Sequence, residues 1–250
     1  MQDTASLQDK VCLITGGAQR IGAHIASLLH AQGMRLLIHY RNSSQQAIEL
    51  QTKLNAVRPD SVCIMQADLC ELDSLRALIE QAQNQFGRLD VLINNASSFY
   101  PTAIGDVTEE QWNDLLCSNL KAPFFLSQYA APLLKASNGC IINMVDIHAE
   151  RPLKEHPVYC SAKAGLVMLT KSLARELGPE VRVNAIAPGA ILWPEANMTE
   201  ETKTSILARI ALKRQGNPDN IAQAALFLIA NAGYTTGQII TVDGGRSLHC

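Results

Sequence analysis

Seven short apolar runs, each set off from the next by a stretch of helical period, constrain this chain more than any other feature. They are VCLIT (11–15), MRLLIHY (34–40), VCIMQA (62–67), DVLINN (90–95), CIINMV (140–145), VRVNAIA (181–187) and QIITVDG (238–244). The first three lead into helix-compatible segments at 21–32, 43–57 and 71–86. Strand-length runs alternating with helix-length segments predict repeated βαβ units. A half-exposed strand alternates apolar with polar residues, whereas these runs are apolar almost throughout. The sheet they form must therefore be parallel and covered on both faces.

The expected fold class is α/β, a Rossmann-like doubly wound parallel sheet with helices on both faces. The 250 residues contain no Pro/Gly/Ser-rich linker and no break in composition, so one catalytic domain is expected over 1–250. Residues 1–8 read as a loose tail, and 189–204, with Trp193 and Pro194, as a mobile substrate loop after a strand.

A net charge of -2 supplies no clustered cationic surface, which excludes nucleic acid as an expected partner. No apolar run is long enough to span a bilayer and the segment MQDTASLQDK is polar, so the expected setting is cytoplasmic, with no membrane partner. The seven cysteines are scattered, without a C-x-x-C pair, and read as reduced thiols. Cys12, Cys63 and Cys140 fall in strand-like runs, where a thiol packs as a small hydrophobe. Six histidines, His24, His30, His39, His148, His156 and His249, show no ligand spacing, and no metal site is expected.

Directly after the first run comes T-G-G-A-Q-R-I-G (15–22), opening a helix. Glycines there let backbone N–H groups approach a pyrophosphate, and the helix N-terminus favours its charge. Arg20 interrupts the glycines with a guanidinium able to grip a phosphate or an anionic substrate group; a surface residue that merely starts the helix is the minor alternative, unfavourable at this position. At the end of the second run, where an NAD enzyme places an acid for the ribose, stand His39, Tyr40, Arg41, Asn42 and Ser43. With no carboxylate, and with Arg41 and Ser43 in its place, a 2′-phosphate is favoured, so the expected cofactor is NADPH.

Tyr159 and Lys163, four apart at the start of a helical segment, share one face. An adjacent ammonium would lower a phenol pKa from about 10 and fit the phenol for proton transfer. Thirteen residues before Tyr159 stands Asp146. A hydroxyl there could only polarise a ketone; a carboxyl can also carry a proton to a ring nitrogen, as C=N reduction requires.

These motifs resemble the short-chain dehydrogenase/reductase family from Lys10 to about Arg246: T-G-x-x-x-R-x-G for the fingerprint, Y-x-x-x-K, and Asn119 in C-S-N-L. Asp146 departs from the family's usual serine, and Arg20 from its usual glycine. The family's N-N-A-G reads Asn94-Asn95-Ala96-Ser97 and continues S-F-Y-P-T; with N-M-V-D and V-D-G-G-R-S-L it closely resembles pteridine reductases. The resemblance implies catalytic roles for Asp146, Tyr159, Lys163 and Asn119. It implies cofactor contacts from Gly16, Gln19, Arg20 and Ile21, and from His39 to Ser43. Asp68 and Leu69 would meet the adenine, although Asp68 alone could equally be a helix N-cap. Asn95, Ala96 and Ser97, then Tyr159 and Lys163, then Pro188 and Gly189 would complete the cofactor site.

The substrate implied is a dihydropterin or dihydrofolate, stacked on Phe99 and oriented by Arg20, Ser97, Asp146 and Tyr159, with Trp193 on the covering loop. A homotetramer is implied by resemblance alone. Two other functions fit the same residues: a carbonyl reductase of the oxoacyl type, and a catalytically silent NADP-binding regulator.

Overall fold

The computed structural model describes residues 6–193 and 198–248. All seven runs are strands: β1 (Val11–Ile14), β2 (Arg35–Tyr40), β3 (Val62–Gln66), β4 (Val91–Asn94), β5 (Cys140–Met144), β6 (Arg182–Pro188) and β7 (Ile239–Val242). They form one sheet in the order β3-β2-β1-β4-β5-β6-β7, with every pairing parallel. The expected doubly wound architecture is the observed one.

The helices are α1 (Arg20–Ala31), α2 (Ser44–Val57), α3 (Leu72–Phe86), α4 (Glu109–Leu116), α5 (Ala122–Ala136), α6 (Pro157–Leu177), α7 (Glu200–Ala208) and α8 (Pro218–Ala230). Strand side chains alternate between two cores. Cys12, Ile14, Leu36 and Ile38 pack with Ile25 and Leu29 of α1 and Ile221 and Leu228 of α8. Val11, Leu13 and Leu37 pack with Leu75 and Leu78 of α3 and Leu126 and Leu134 of α5. Each such Leu or Ile contributes about 1.5–3 kcal/mol through burial, which is why runs apolar on both faces specify a two-sided sheet.

β1 lies between β2 and β4, so the direction of strand addition reverses there. The crevice beyond the strand ends at that reversal is where open α/β sheets bind ligands.

Three expectations are corrected. The segment expected as a loose tail is fastened at its inner end, where Leu7 is buried in the core; residues 1–5 lie outside the described residues. The loop expected over 189–204 is already helical from Glu200, because the Thr199 side chain accepts from Thr202 N and caps α7; 194–197, Pro194 among them, lie outside the described residues. Not every cysteine is a free thiol: Cys70, in the loop after β3, is disulfide-bonded to Cys117 at the end of α4. Forty-seven residues separate the two in sequence, and only the fold brings them together. Cys12, Cys63, Cys140 and Cys160 are free; Cys250 and His249 lie outside the described residues. No helix is long and apolar enough to cross a membrane among the described residues.

Candidate active site

The turn after β1 is shaped by contacts that exclude side chains. Gly16 has φ +59°, and a Cβ on it would stand 3.0 Å from Ala96 Cα. A Cβ on Gly22 would collide with the Gly16 carbonyl oxygen. Asn95 clamps the same turn, its Nδ2 donating to the carbonyls of Thr15 and Gly16 at 2.9 Å. Thr15 Oγ1 in return accepts from the amides of Asn95 and Ala96. Arg20 has φ +52°, a left-handed conformation in a non-glycine residue at the position where the family pattern has glycine.

In front of this turn lies a cleft of about 430 Å³. Gly16, Gln19, Arg20 and Ile21 border it, as do His39, Tyr40, Arg41, Asn42 and Ser43 from the end of β2. Asp68 and Leu69 close one side and Asn95, Ala96 and Ser97 another, so fourteen of the eighteen expected cofactor residues surround one space. Tyr159, Lys163, Pro188 and Gly189 stand outside its lining, whereas Cys70 and Ser118 join it unanticipated. Trp193 is half-buried and also outside the lining.

Arg41, half exposed at the rim, places Nε 3.7 Å from Asp68 and Nη1 3.7 Å from Asp114 of α4. Asp68 does not cap α3, whose N-cap is Glu71; its Oδ1 instead accepts from Cys70 N and shapes the loop.

Asn119 lies within a π-helical turn, Cys117–Lys121, between α4 and α5. Its Nδ2 donates to the carbonyls of Leu115 and Ser98 at 3.0 Å, and its Oδ1 accepts from Ser97 Oγ at 2.7 Å. The asparagine thus ties the bulged helix to the segment after β4.

At the end of β5, Asp146 caps a short 3₁₀ turn by accepting from His148 N at 2.8 Å through Oδ1. Its other oxygen, Oδ2, accepts from the Tyr159 hydroxyl at 2.8 Å. Tyr159 is 4% exposed, and burial, followed by the Asp146 carboxylate, pushes its phenol pKa well above the usual value. The expected lowering by Lys163 is therefore corrected. The ammonium, buried beneath, donates to the Met144 carbonyl at 2.8 Å and lies 5.6 Å from the centre of the Tyr159 ring. Burial lowers the Lys163 pKa to about 8, against an opposing pull from Asp146.

Phe99 is 48% exposed beside this pair, its ring edge-on to Tyr159 with centroids 4.8 Å apart. One face is stacked on His156, 4.7 Å away and 15° from parallel. In sequence His156 flanks the strand-to-helix segment that carries Tyr159, where a pKa-tuning role and a plain surface-loop position fit equally. Its place three residues before Tyr159, at the cap of α6, is the sequence signal that locates it here. Arg246, in the C-terminal 3₁₀ turn, was also missed. Burial lowers its pKa, while Asp146 lies near enough to oppose that shift.

The described residues contain no group of His, Cys, Asp and Glu that could hold a metal ion.

The family model described as enoyl-(acyl carrier protein) reductase matches residues 16–247. The chain is 36% identical over 240 residues to a 3-oxoacyl-(acyl-carrier-protein) reductase of Staphylococcus aureus, covering 94% of this chain and 97% of the relative. Identity to pteridine reductase 1 of Leishmania tarentolae is 34% over 286 aligned residues, covering 98% and 99%. A Thermotoga maritima 3-oxoacyl-(acyl-carrier-protein) reductase is 33% identical over 243 residues, covering 96% and 98%.

Proposed function

Because the chain belongs to the short-chain dehydrogenase/reductase family of oxidoreductases, we propose that it is an NADPH-dependent reductase of dihydropterins, and of dihydrofolate, acting at a ring C=N bond. The observation that carries this reading is the Asp146 carboxylate bonded to the Tyr159 phenol beside the half-exposed Phe99 ring.

The cleft fits a dinucleotide phosphate. Its glycine turn admits a pyrophosphate to the start of α1, and the end of β2 offers Arg41 and Ser43 rather than a carboxylate. A 2′-phosphate at the rim would draw the Arg41 guanidinium from Asp114, a long and only partly buried pair that costs little to break. NADPH bound there supplies the hydride.

The chain's own residues manage the proton and the ring. Tyr159 holds its proton at neutral pH, because burial and Asp146 both favour the neutral phenol. It is the donor to ring nitrogen, and Asp146 is the second carrier on the same hydrogen bond. Lys163 supplies positive charge beneath the phenol and limits the cost of the phenolate left behind. Phe99 gives the flat heterocycle a stacking face. Arg20 and Ser97 orient it, Ser97 being fixed by Asn119.

A second reading, reduction of a 3-oxoacyl ketone, is supported by the 36% identity to the Staphylococcus aureus enzyme. NADPH oxidation with dihydrobiopterin, compared with a 3-oxoacyl thioester, separates the two. Turnover of the thioester alone would overturn the pterin reading. We further propose one catalytic domain acting in the cytoplasm as a homotetramer. Exposed Trp112, Phe124, Phe227 and Tyr234 support association, and light scattering tests it.

A further inference from the structure

The phosphate-binding turn is held from behind by one side chain. His39, the fifth residue of β2, is 1% exposed, and its Nδ1 accepts from Gly16 N at 3.1 Å. Its Nε2 lies 3.1 Å from the Ala67 carbonyl oxygen, and its own carbonyl accepts from Gly17 N at 3.0 Å. A backbone amide only donates and a carbonyl only accepts, so these partners fix the ring as neutral with its proton on Nε2. One imidazole therefore joins the glycine turn, the end of β2 and the loop after β3, all of which border the cleft.

We propose that His39 is a positioning residue for the dinucleotide: its neutral ring sets the Gly16 turn against the Ala67–Asp68 loop, and a proton on Nδ1 undoes that setting. A protonated Nδ1 would point a second donor at the Gly16 amide, and the turn would have to move away. His39 borders the cleft, but nothing in this role needs its side chain to touch the cofactor. The charged groups around it are Asp68 after β3, Arg41 just beyond the end of β2 and paired with Asp68, and Arg20 on the same cleft. Burial disfavours the charged ring and outweighs the pull of Asp68. The inference rests on the dinucleotide reading of the cleft.

The test is NADPH affinity, read from cofactor fluorescence, for the wild type, His39→Asn and His39→Leu. Asparagine keeps an acceptor near the Nδ1 position and cannot be protonated there; leucine leaves the Gly16 amide unpaired. At pH 8, H39L should bind NADPH roughly tenfold more weakly, the scale set by one unsatisfied buried donor, and H39N within about threefold of the wild type. As pH falls below 6.5, the wild type should lose affinity faster than H39N; the titration of the 2′-phosphate is common to both and cancels. Superimposed wild-type and H39N profiles would overturn the proposal, as would wild-type affinity in a folded H39L. If H39L does not fold, the H39N profile decides. A wild type that binds neither NADPH nor NADH at pH 8 would instead remove the dinucleotide reading itself, and the inference with it.

Discussion

The Tyr159 hydroxyl donates to Asp146 Oδ2 at 2.8 Å, while Asp146 Oδ1 is held by the amide of His148. Both carboxylate oxygens are thus committed, one to a backbone turn and one to the phenol. The geometry ties the acid at the end of β5 to the tyrosine on α6.

Two substitutions separate the roles of that pair. Tyr159→Phe removes the proton donor and should lower dihydropterin turnover by about 10²–10⁴-fold with NADPH affinity nearly unchanged. Asp146→Ser restores the common family residue. It should lower dihydropterin turnover by a similar factor while leaving reduction of a simple ketone intact. Steady-state kinetics with both substrates check this, and full dihydropterin turnover by either variant would refute the assignment.

Lys163 makes a prediction about stability and pH. Its pKa in the fold is about 8, against an ordinary value of 10.5 that an exposed lysine in the unfolded chain would have. Between those values the unfolded chain binds more protons, so stability contributed at this site rises as pH goes from about 8 to 10.5. Below 8 both states carry the proton and the fold bears the cost of a buried ammonium. Comparing thermal melts with Lys163→Met, which cannot titrate, the wild type should gain relative to the variant between pH 7.5 and pH 9.5. A constant difference would show that the ammonium is not held in a desolvating site.

Arg20 trades backbone ease for a charge. Its φ of +52° costs a non-glycine residue about 1 kcal/mol. Arg20→Gly relieves that cost, but the greater freedom of glycine in the unfolded chain offsets about 0.4–1 kcal/mol of it and the side chain's own contacts are lost, so stability to denaturant should change by less than about 1 kcal/mol. The same variant should bind NADPH more weakly. Unchanged cofactor affinity would contradict the role given to the charge.

The parts of this structure legible in the sequence are those set by local pattern. Runs apolar on both faces gave all seven strands, and the starts of α1, α2 and α3 fall within one residue of their expected positions. Asp146 was found by counting back from Tyr159, because a strand end and a helix start at fixed separation bring those positions together. What depth decides was not legible. His39 points inward to hold a turn, the Lys163 ammonium finds the Met144 carbonyl, and the Tyr159 phenol pKa moves up instead of down because burial and then the Asp146 carboxylate favour the neutral phenol. The Cys70–Cys117 bond joins segments that meet only after folding.

The stacked pair Phe99 and His156 supplies the last prediction. Thr102 N donates to the Glu155 carbonyl at 2.6 Å, binding the segment that carries Phe99 to the one that carries His156. The His156 ring is itself oriented by a hydrogen bond of 2.8 Å between its Nδ1 and the Lys154 carbonyl. A ring backed on one face loses less freedom when a flat substrate settles on it, so the effect belongs in binding rather than in the chemical step. His156→Ala should raise the dihydropterin KM about threefold to tenfold with kcat and the KM for NADPH little changed, and His156→Phe should restore it, as expected for a stacking contribution of about 0.5–1.5 kcal/mol. Phe99→Ala should show a larger rise, and adding His156→Ala to it should have almost no further effect, because the second ring acts only through the first. Additive losses in the double variant would mean that His156 meets the substrate independently of Phe99.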